Sequence, residues 1–217
     1  MSKKEISLGT TVLAIQVEDG IFIGADSKTS TGSLISNKIS DKISYLSETI
    51  VCCRSGSAAD TQNVVDFIRS LILQHLLASK TMPKVRMISQ ILRNFCYKEG
   101  NLNVGFICAG WDNSHGYQLF NVSMSGCIFK QPLILVGSGS IFIQGFCDSN
   151  FKKGMNEFEV RDFLIKAISL AMLRDSSSGG IIRVAKITKK GIERVVVRPI
   201  KPVKKIPKKS KTNFVIV

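Results

Sequence analysis

Thr10 follows Gly9 and opens an apolar run, and that placement suggests hydrolytic chemistry without a histidine. Hydrolases built on Ser or Cys usually pair the nucleophile with a histidine base. This chain has two histidines. His75 stands beside Leu76 and Leu77 in a helical apolar pattern, as a surface or interface residue of that helix. His115 falls in Asp112-Asn113-Ser114-His115-Gly116, a turn by composition. Neither lies near a nucleophile motif. If the chain is cut between Gly9 and Thr10, however, the threonine gains a free α-amine next to its own hydroxyl. Such an amine titrates at roughly 7.7–8.0, so near neutral pH it can accept the hydroxyl proton directly or through one water. A lysine ammonium nearby would lower the pKa of both groups. A strand starting at the cut places the residue at a sheet end, open to a cleft. Taken alone, Gly-Thr-Thr has a plainer reading as the start of an edge strand.

Other chemistries find less support. Gly137-Ser138-Gly139-Ser140 opens a predicted helix and could receive an anion on its amides. It lacks the lysine and the length of a phosphate-binding loop, and Gly-Ser turns before helices are ordinary caps. Gly179-Gly180 is no more specific, and the scattered Asp and Glu residues pick out no glycosidase pair. Six cysteines are present, at 52, 53, 96, 108, 127 and 147, with no C-x-x-C pair and no histidine close by. They read as buried thiols rather than as a disulfide framework or a zinc site, and no metal or cofactor is expected.

The net charge of +14 looks like a nucleic-acid signal until it is located. No acidic residue follows Glu193, and half of that charge comes from Arg198 and six later lysines, interleaved with Pro199, Pro202 and Pro207. This tail is expected to be extended and mobile. It could be a nuclear address, a contact for an anionic partner, or a solvated end. No stretch of about 18 uncharged apolar residues occurs, and the N-terminus lacks an apolar signal region, so an intracellular chain without a membrane partner is expected.

The elements that must carry a site can be read from periodicity. Residues 11–17 form an apolar strand, Asp19-Gly20 a tight turn and 21–25 the returning strand, followed by a Ser/Thr-rich loop over 26–33. Short strands fit 34–37, 43–46 and 50–54. The apolar period then becomes helical over 59–77 and 84–97, the second helix with Thr81 as N-cap. Strands return at 103–110, 117–122 and 133–136, then helices at 140–147 and 157–173, and a final strand pair at 180–188 and 191–197. Runs of strands and runs of helices, without strict alternation, predict a layered α+β domain with two antiparallel sheets flanked by helices.

Several motifs in this frame share one order and spacing: Gly9-Thr10-Thr11, Gly24-Ala25-Asp26-Ser27, Asp41-Lys42, Cys52-Cys53-Arg54-Ser55-Gly56-Ser57-Ala58-Ala59-Asp60, Gly137-Ser138-Gly139-Ser140 and Asp175-Ser176-Ser177-Ser178-Gly179-Gly180. The set resembles proteasome beta subunits over about Gly9 to Arg198, and most nearly the caspase-like type that cuts after acidic residues. The resemblance implies an αββα sandwich of the N-terminal nucleophile hydrolase type. It also implies a leader over 1–9, a catalytic domain over 10–198 and a basic tail over 199–217.

Carried over by position, Thr10 would be nucleophile and, through its amine, base. Lys42 would tune both groups, held by Asp26. The Gly56 N–H would form the oxyanion hole, and Ser138, Asp175 and Ser178 would orient the amine and a water. Thr29 and Ser30 would pair through their backbone with extended substrate, and Arg54 would draw acidic side chains. Each residue also has a plain reading: Asp26 as a loop cap, Lys42 and Arg54 as surface charges, Ser138 as a helix cap. Asp175 at a helix C-terminus opposes the helix dipole, which argues for a role beyond helix stability. The partners implied are other beta and alpha subunits in stacked rings, with unfolded polypeptides as substrates, in cytoplasm and nucleus. Two alternatives remain: a structural ring member that keeps its leader, and a basic binding protein whose tail contacts nucleic acid.

Overall fold

The computed structural model describes residues 9–32, 34–98 and 103–200. Its elements run β1 (Val12–Val17), β2 (Gly20–Ala25), β3 (Thr29–Thr31), β4 (Leu34–Asn37), β5 (Ile43–Tyr45), β6 (Ile50–Gly56), α1 (Ala58–Ser79), α2 (Val85–Lys98), β7 (Val104–Asp112), β8 (Gly116–Val122), β9 (Ile128–Lys130), β10 (Leu133–Val136), α3 (Ser140–Asn150), α4 (Glu157–Arg174), β11 (Ile182–Thr188) and β12 (Gly191–Val197). Two five-stranded antiparallel sheets form, one ordered β10-β1-β2-β11-β12 and the other β5-β6-β7-β8-β9, with β3 and β4 as a separate ribbon. The expected α+β sandwich is present.

The four layers follow from how each strand distributes its side chains. Val12 and Ala14 of β1 face the other sheet, while Leu13 and Ile15 meet α3 and α4. In β6, Val51 and Cys53 point into the layer between the sheets, and Ile50 and Cys52 pack under α1 and α2. Strands covered on both faces have no polar side to show, so their sequences are nearly continuous apolar runs. At about 25 cal/mol per Å2 of apolar area removed from water, this double coverage supplies the main drive for stacking the layers. Helix α4 is fixed at its start by a capping box: Asn156 accepts from the Glu159 amide at 3.1 Å and Glu159 accepts from the Asn156 amide at 2.8 Å.

Four local expectations need correction. The β1–β2 turn is Glu18-Asp19, and Gly20 is already in β2, paired with Val17. That glycine serves close packing, since a Cβ there would stand 2.7 Å from the Ile187 carbonyl oxygen. The loop over 26–33 contains strand β3, which pairs with β4, and β9 adds an edge strand that its short sequence did not signal. Helix α2 is not capped by Thr81. Its first amide, at Val85, donates to Asp112 Oδ2 at 3.1 Å, a carboxylate from the end of β7.

Five of the six cysteines are buried, and Cys127 is exposed. Burial pushes the Cys108 and Cys147 thiols up to about 12, so they behave as small apolar residues. No helix among the described residues is long and apolar enough to cross a membrane. Residues 1–8 and 201–217, most of the expected leader and tail, lie outside the described residues. Of the tail, Ile200 is held to α4, its amide donating to Ser169 Oγ at 2.9 Å.

Candidate active site

Thr10 lies just before β1, at the end of its sheet, and is almost fully buried. Its position is set by residues on both sides. The Thr11 amide donates to Asp26 Oδ1 at 2.8 Å, and the Thr11 hydroxyl donates to Ser178 Oγ at 2.7 Å. The Thr10 carbonyl accepts from the Gly139 amide at 3.2 Å. Gly137 makes that approach possible. Its φ is +99°, and a Cβ on it would stand 2.1 Å from the Thr10 carbonyl oxygen.

Asp26 follows β2 and has no exposed surface, yet both carboxylate oxygens are satisfied. Oδ1 accepts from the Thr11 amide and from Lys42 Nζ at 2.6 Å, and Oδ2 accepts from the Lys28 amide at 3.2 Å and the Gly179 amide at 3.1 Å. A buried charge needs this completeness. Lys42, just ahead of β5, is buried against Asp26. Burial lowers its pKa below the ordinary lysine value, while the Asp26 carboxylate pulls it back up. The same ammonium donates to the Gly9 carbonyl oxygen at 3.1 Å, which also accepts the Thr10 hydroxyl at 2.6 Å.

On the other side of Thr10, two hydrogen-bond chains end on Asp175, the C-cap of α4. The Thr10 amide donates to Ser138 Oγ at 3.2 Å, and Ser138 donates to Asp175 Oδ2 at 2.7 Å. The Thr11 hydroxyl leads through Ser178, which donates to the same oxygen at 2.6 Å. Burial pushes the Asp175 carboxyl up, but the hydroxyls of Ser178 and Ser138 and the Ser177 amide outweigh it, leaving the pKa below the usual carboxylate value. The helix-dipole penalty at this C-cap is thus offset by local donors.

A cleft of 370 Å3 opens over Thr10, and Thr29, Ser30, Lys42, Arg54 and Gly56 share its walls. Asp26, Ser138, Asp175 and Ser178 are not on those walls and are linked to Thr10 or Thr11 through the bonds just described. Gly56 ends β6 with φ +108°, and a Cβ there would stand 2.0 Å from the Asn103 carbonyl oxygen, so the main chain is held close at that point. Arg54 is half-buried. Nη1 donates to Gln62 Oε1 at 2.6 Å and Nη2 to the Asp41 carbonyl oxygen. All the residues singled out by the sequence therefore meet around one threonine. Thr11, Gln62 and Arg194 were not assigned roles. The first was visible in the Gly-Thr-Thr motif, and Gln62 stands about one turn into the helix that follows Arg54. Arg194 had no local signal.

Comparison with known proteins shows the family of the chain. Residues 6–187 match the family described as proteasome subunit. The chain is 42% identical over 193 residues to "Proteasome subunit beta type-6" of Dictyostelium discoideum, covering 88% of this chain and 90% of that one. It is 42% identical over 195 residues to "Probable proteasome subunit beta type-1" of Schizosaccharomyces pombe, covering 89% and 86%. It is 38% identical over 200 residues to "Proteasome subunit beta type-1" of Saccharomyces cerevisiae, covering 92% and 93%.

Proposed function

Because the chain belongs to the proteasome beta-type subunit family, and so to a multi-subunit complex, we propose that it is a threonine-type endopeptidase subunit that frees Thr10 by its own scission and then cuts polypeptides after acidic residues. The observation that carries this reading is the convergence of Thr10 Oγ1 and Lys42 Nζ on the Gly9 carbonyl oxygen, at 2.6 and 3.1 Å. Two donors on one carbonyl draw electron density from its carbon, and the adjacent hydroxyl oxygen is the nucleophile. Attack of Oγ1 on that carbon forms an ester and breaks the Gly9–Thr10 C–N bond, the hydroxyl proton passing to the departing nitrogen. Water then hydrolyses the ester, leaving Gly9 as a carboxylate and Thr10 with both hydroxyl and amine.

In the cleaved chain the amine serves as base for the hydroxyl in the next attack, on a substrate carbonyl. Ser138, tied to Asp175 alongside Ser178, holds the amine. The Lys42 ammonium, held by Asp26, favours both the free amine and the alkoxide. The Gly56 N–H receives the oxyanion, and the backbone of Thr29 and Ser30 pairs with extended substrate. Arg54 accepts a Glu or Asp side chain before the cut through charge-assisted hydrogen bonds. The partners are neighbouring beta and alpha subunits of stacked rings, in cytoplasm and nucleus.

Intact mass of the assembled chain tests the first step: a mature terminus at Thr10 is expected, and Thr10→Ala should retain its leader. A wild-type chain still starting at Met1 would identify a structural ring member. With the particle's other catalytic threonines replaced, Thr10→Ala should lose post-glutamyl cleavage, and turnover at the parental rate would refute the proposal.

A further inference from the structure

Arg54 stands near two carboxylates and is paired with neither. Among the described residues its hydrogen-bond partners are both neutral, the Gln62 amide oxygen and the Asp41 main-chain carbonyl, and its buried Nε has no partner. Asp66 is occupied elsewhere. It accepts the Gln62 amide group at 2.9 and 3.0 Å and pairs with Arg69 at 2.8 Å, whose Nε donates to the Tyr45 carbonyl at 3.0 Å. Asp41 is occupied too. Its Oδ1 accepts from Arg194 Nη2 at 2.7 Å and from the Ile43 amide at 3.0 Å. The Arg194 guanidinium lies 5.1 Å over the Tyr45 ring, which fixes its plane.

We propose that Arg194, on β12, is a specificity-positioning residue: by binding the Asp41 carboxylate it keeps that group off Arg54, so the Arg54 guanidinium faces the cleft uncompensated and free for an acidic substrate side chain. The inference rests on the post-acidic reading above and names the residue that maintains it. Asp41 lines the same cleft as Arg54, and its main chain already touches the guanidinium. Once Arg194 is gone, rotation of the Asp41 side chain away from the Ile43 amide would form an internal Asp41–Arg54 pair in place of the substrate. Arg183 would still hold the backbone nearby through the carbonyls of Ile39 and Ser40, at 2.7 and 3.2 Å, so the loop stays while its charge is released.

The test uses assembled particles with the other catalytic threonines replaced, and compares kcat/KM for a post-glutamyl and a post-leucyl fluorogenic peptide. Arg194→Gln should lower the post-glutamyl to post-leucyl ratio by about ten- to a hundredfold, the range of one charge-assisted hydrogen bond. The loss should fall mainly in KM for the acidic peptide. Adding Asp41→Asn removes the competing carboxylate and should restore most of the ratio, which a merely structural role for Arg194 would not do. A parental ratio in Arg194→Gln, or no recovery in the double variant, overturns the proposal. If Arg194→Gln does not assemble, Arg194→Met, which keeps the aliphatic stem and removes the charge, carries the same test, and a parental ratio there overturns the proposal. Arg54→Ala, run alongside, separates the two claims. If it loses the acidic preference while Arg194→Gln keeps it, the post-acidic reading stands and the role of Arg194 falls; if Arg54→Ala keeps the preference, both fall.

Discussion

Replacing Asp26 by Asn tests the charge arrangement beneath Thr10. The substitution keeps shape but removes the counter-ion of Lys42, 2.6 Å away in a site with almost no exposure. It also points an amide NH2 at the Lys28 and Gly179 amides, which need acceptors. Breaking a buried pair in this way costs about 3–5 kcal/mol. The lysine can instead discharge, at about 1.4 kcal/mol for each pH unit below the ordinary lysine value of 10.5, which amounts to about 4 kcal/mol at pH 7.5. The two routes cost about the same, so the loss at pH 7.5 should be near 4 kcal/mol. The pH dependence has a definite sign. With its folded-state pKa driven further down, Lys42 binds fewer protons in the native state than in the unfolded one, so stability rises with pH towards 10.5 and is lost as pH falls. The variant's deficit should therefore shrink by about 2–3 kcal/mol between pH 7.5 and 9.5. Urea unfolding of the unassembled precursor, followed by the fluorescence of its single tryptophan, Trp111, measures it. A deficit below about 1 kcal/mol, or one that does not change with pH, would refute the reasoning.

Two further perturbations follow from the same geometry. Ser178→Ala removes the leading hydrogen bond that lowers the Asp175 pKa and leaves the Thr11 hydroxyl without its acceptor. The acid limb of the kcat/KM profile should move to higher pH, and an unmoved limb would show that Asp175 ionisation does not limit the reaction. Gly137→Ala forces a Cβ to within 2.1 Å of the Thr10 carbonyl oxygen at a φ of +99°. The backbone strain alone costs about 1–2 kcal/mol, and leader removal, followed by mass against time, should slow at least tenfold; a parental time course would show that Thr10 need not sit where it does.

The sequence disclosed those parts of the molecule whose physics is local. Helices α1, α2 and α4 show the 3.6 period because each buries one stripe, and β1, β2 and β6 read as apolar runs because both faces are covered. Strand β3 was hidden because Thr29-Ser30-Thr31 pairs only with β4 and carries no apolar face. The cap of α2 was misread because its acceptor, Asp112, comes from a strand end 27 residues further on. The site was legible only as a set of motifs, since Asp26, Lys42 or Ser138 alone could equally have been a cap or a surface charge. Arg194 shows the limit of that approach. Its bond to Asp41 spans 153 residues, and nothing in Ile192-Glu193-Arg194-Val195 distinguishes it from any strand cation.

The Lys42–Asp26 pair also bridges the two slabs of the sandwich, for Asp26 follows a strand of one and Lys42 precedes a strand of the other. Thr10 lies at the end of the first slab, and Arg54 belongs to a strand of the second. Between the two slabs lies the apolar seam that includes Ile23, Val51 and Ala109. Under the proposed function, slippage along that seam would shift Thr10 relative to Arg54, so substitutions in the seam would alter where a polypeptide is cut.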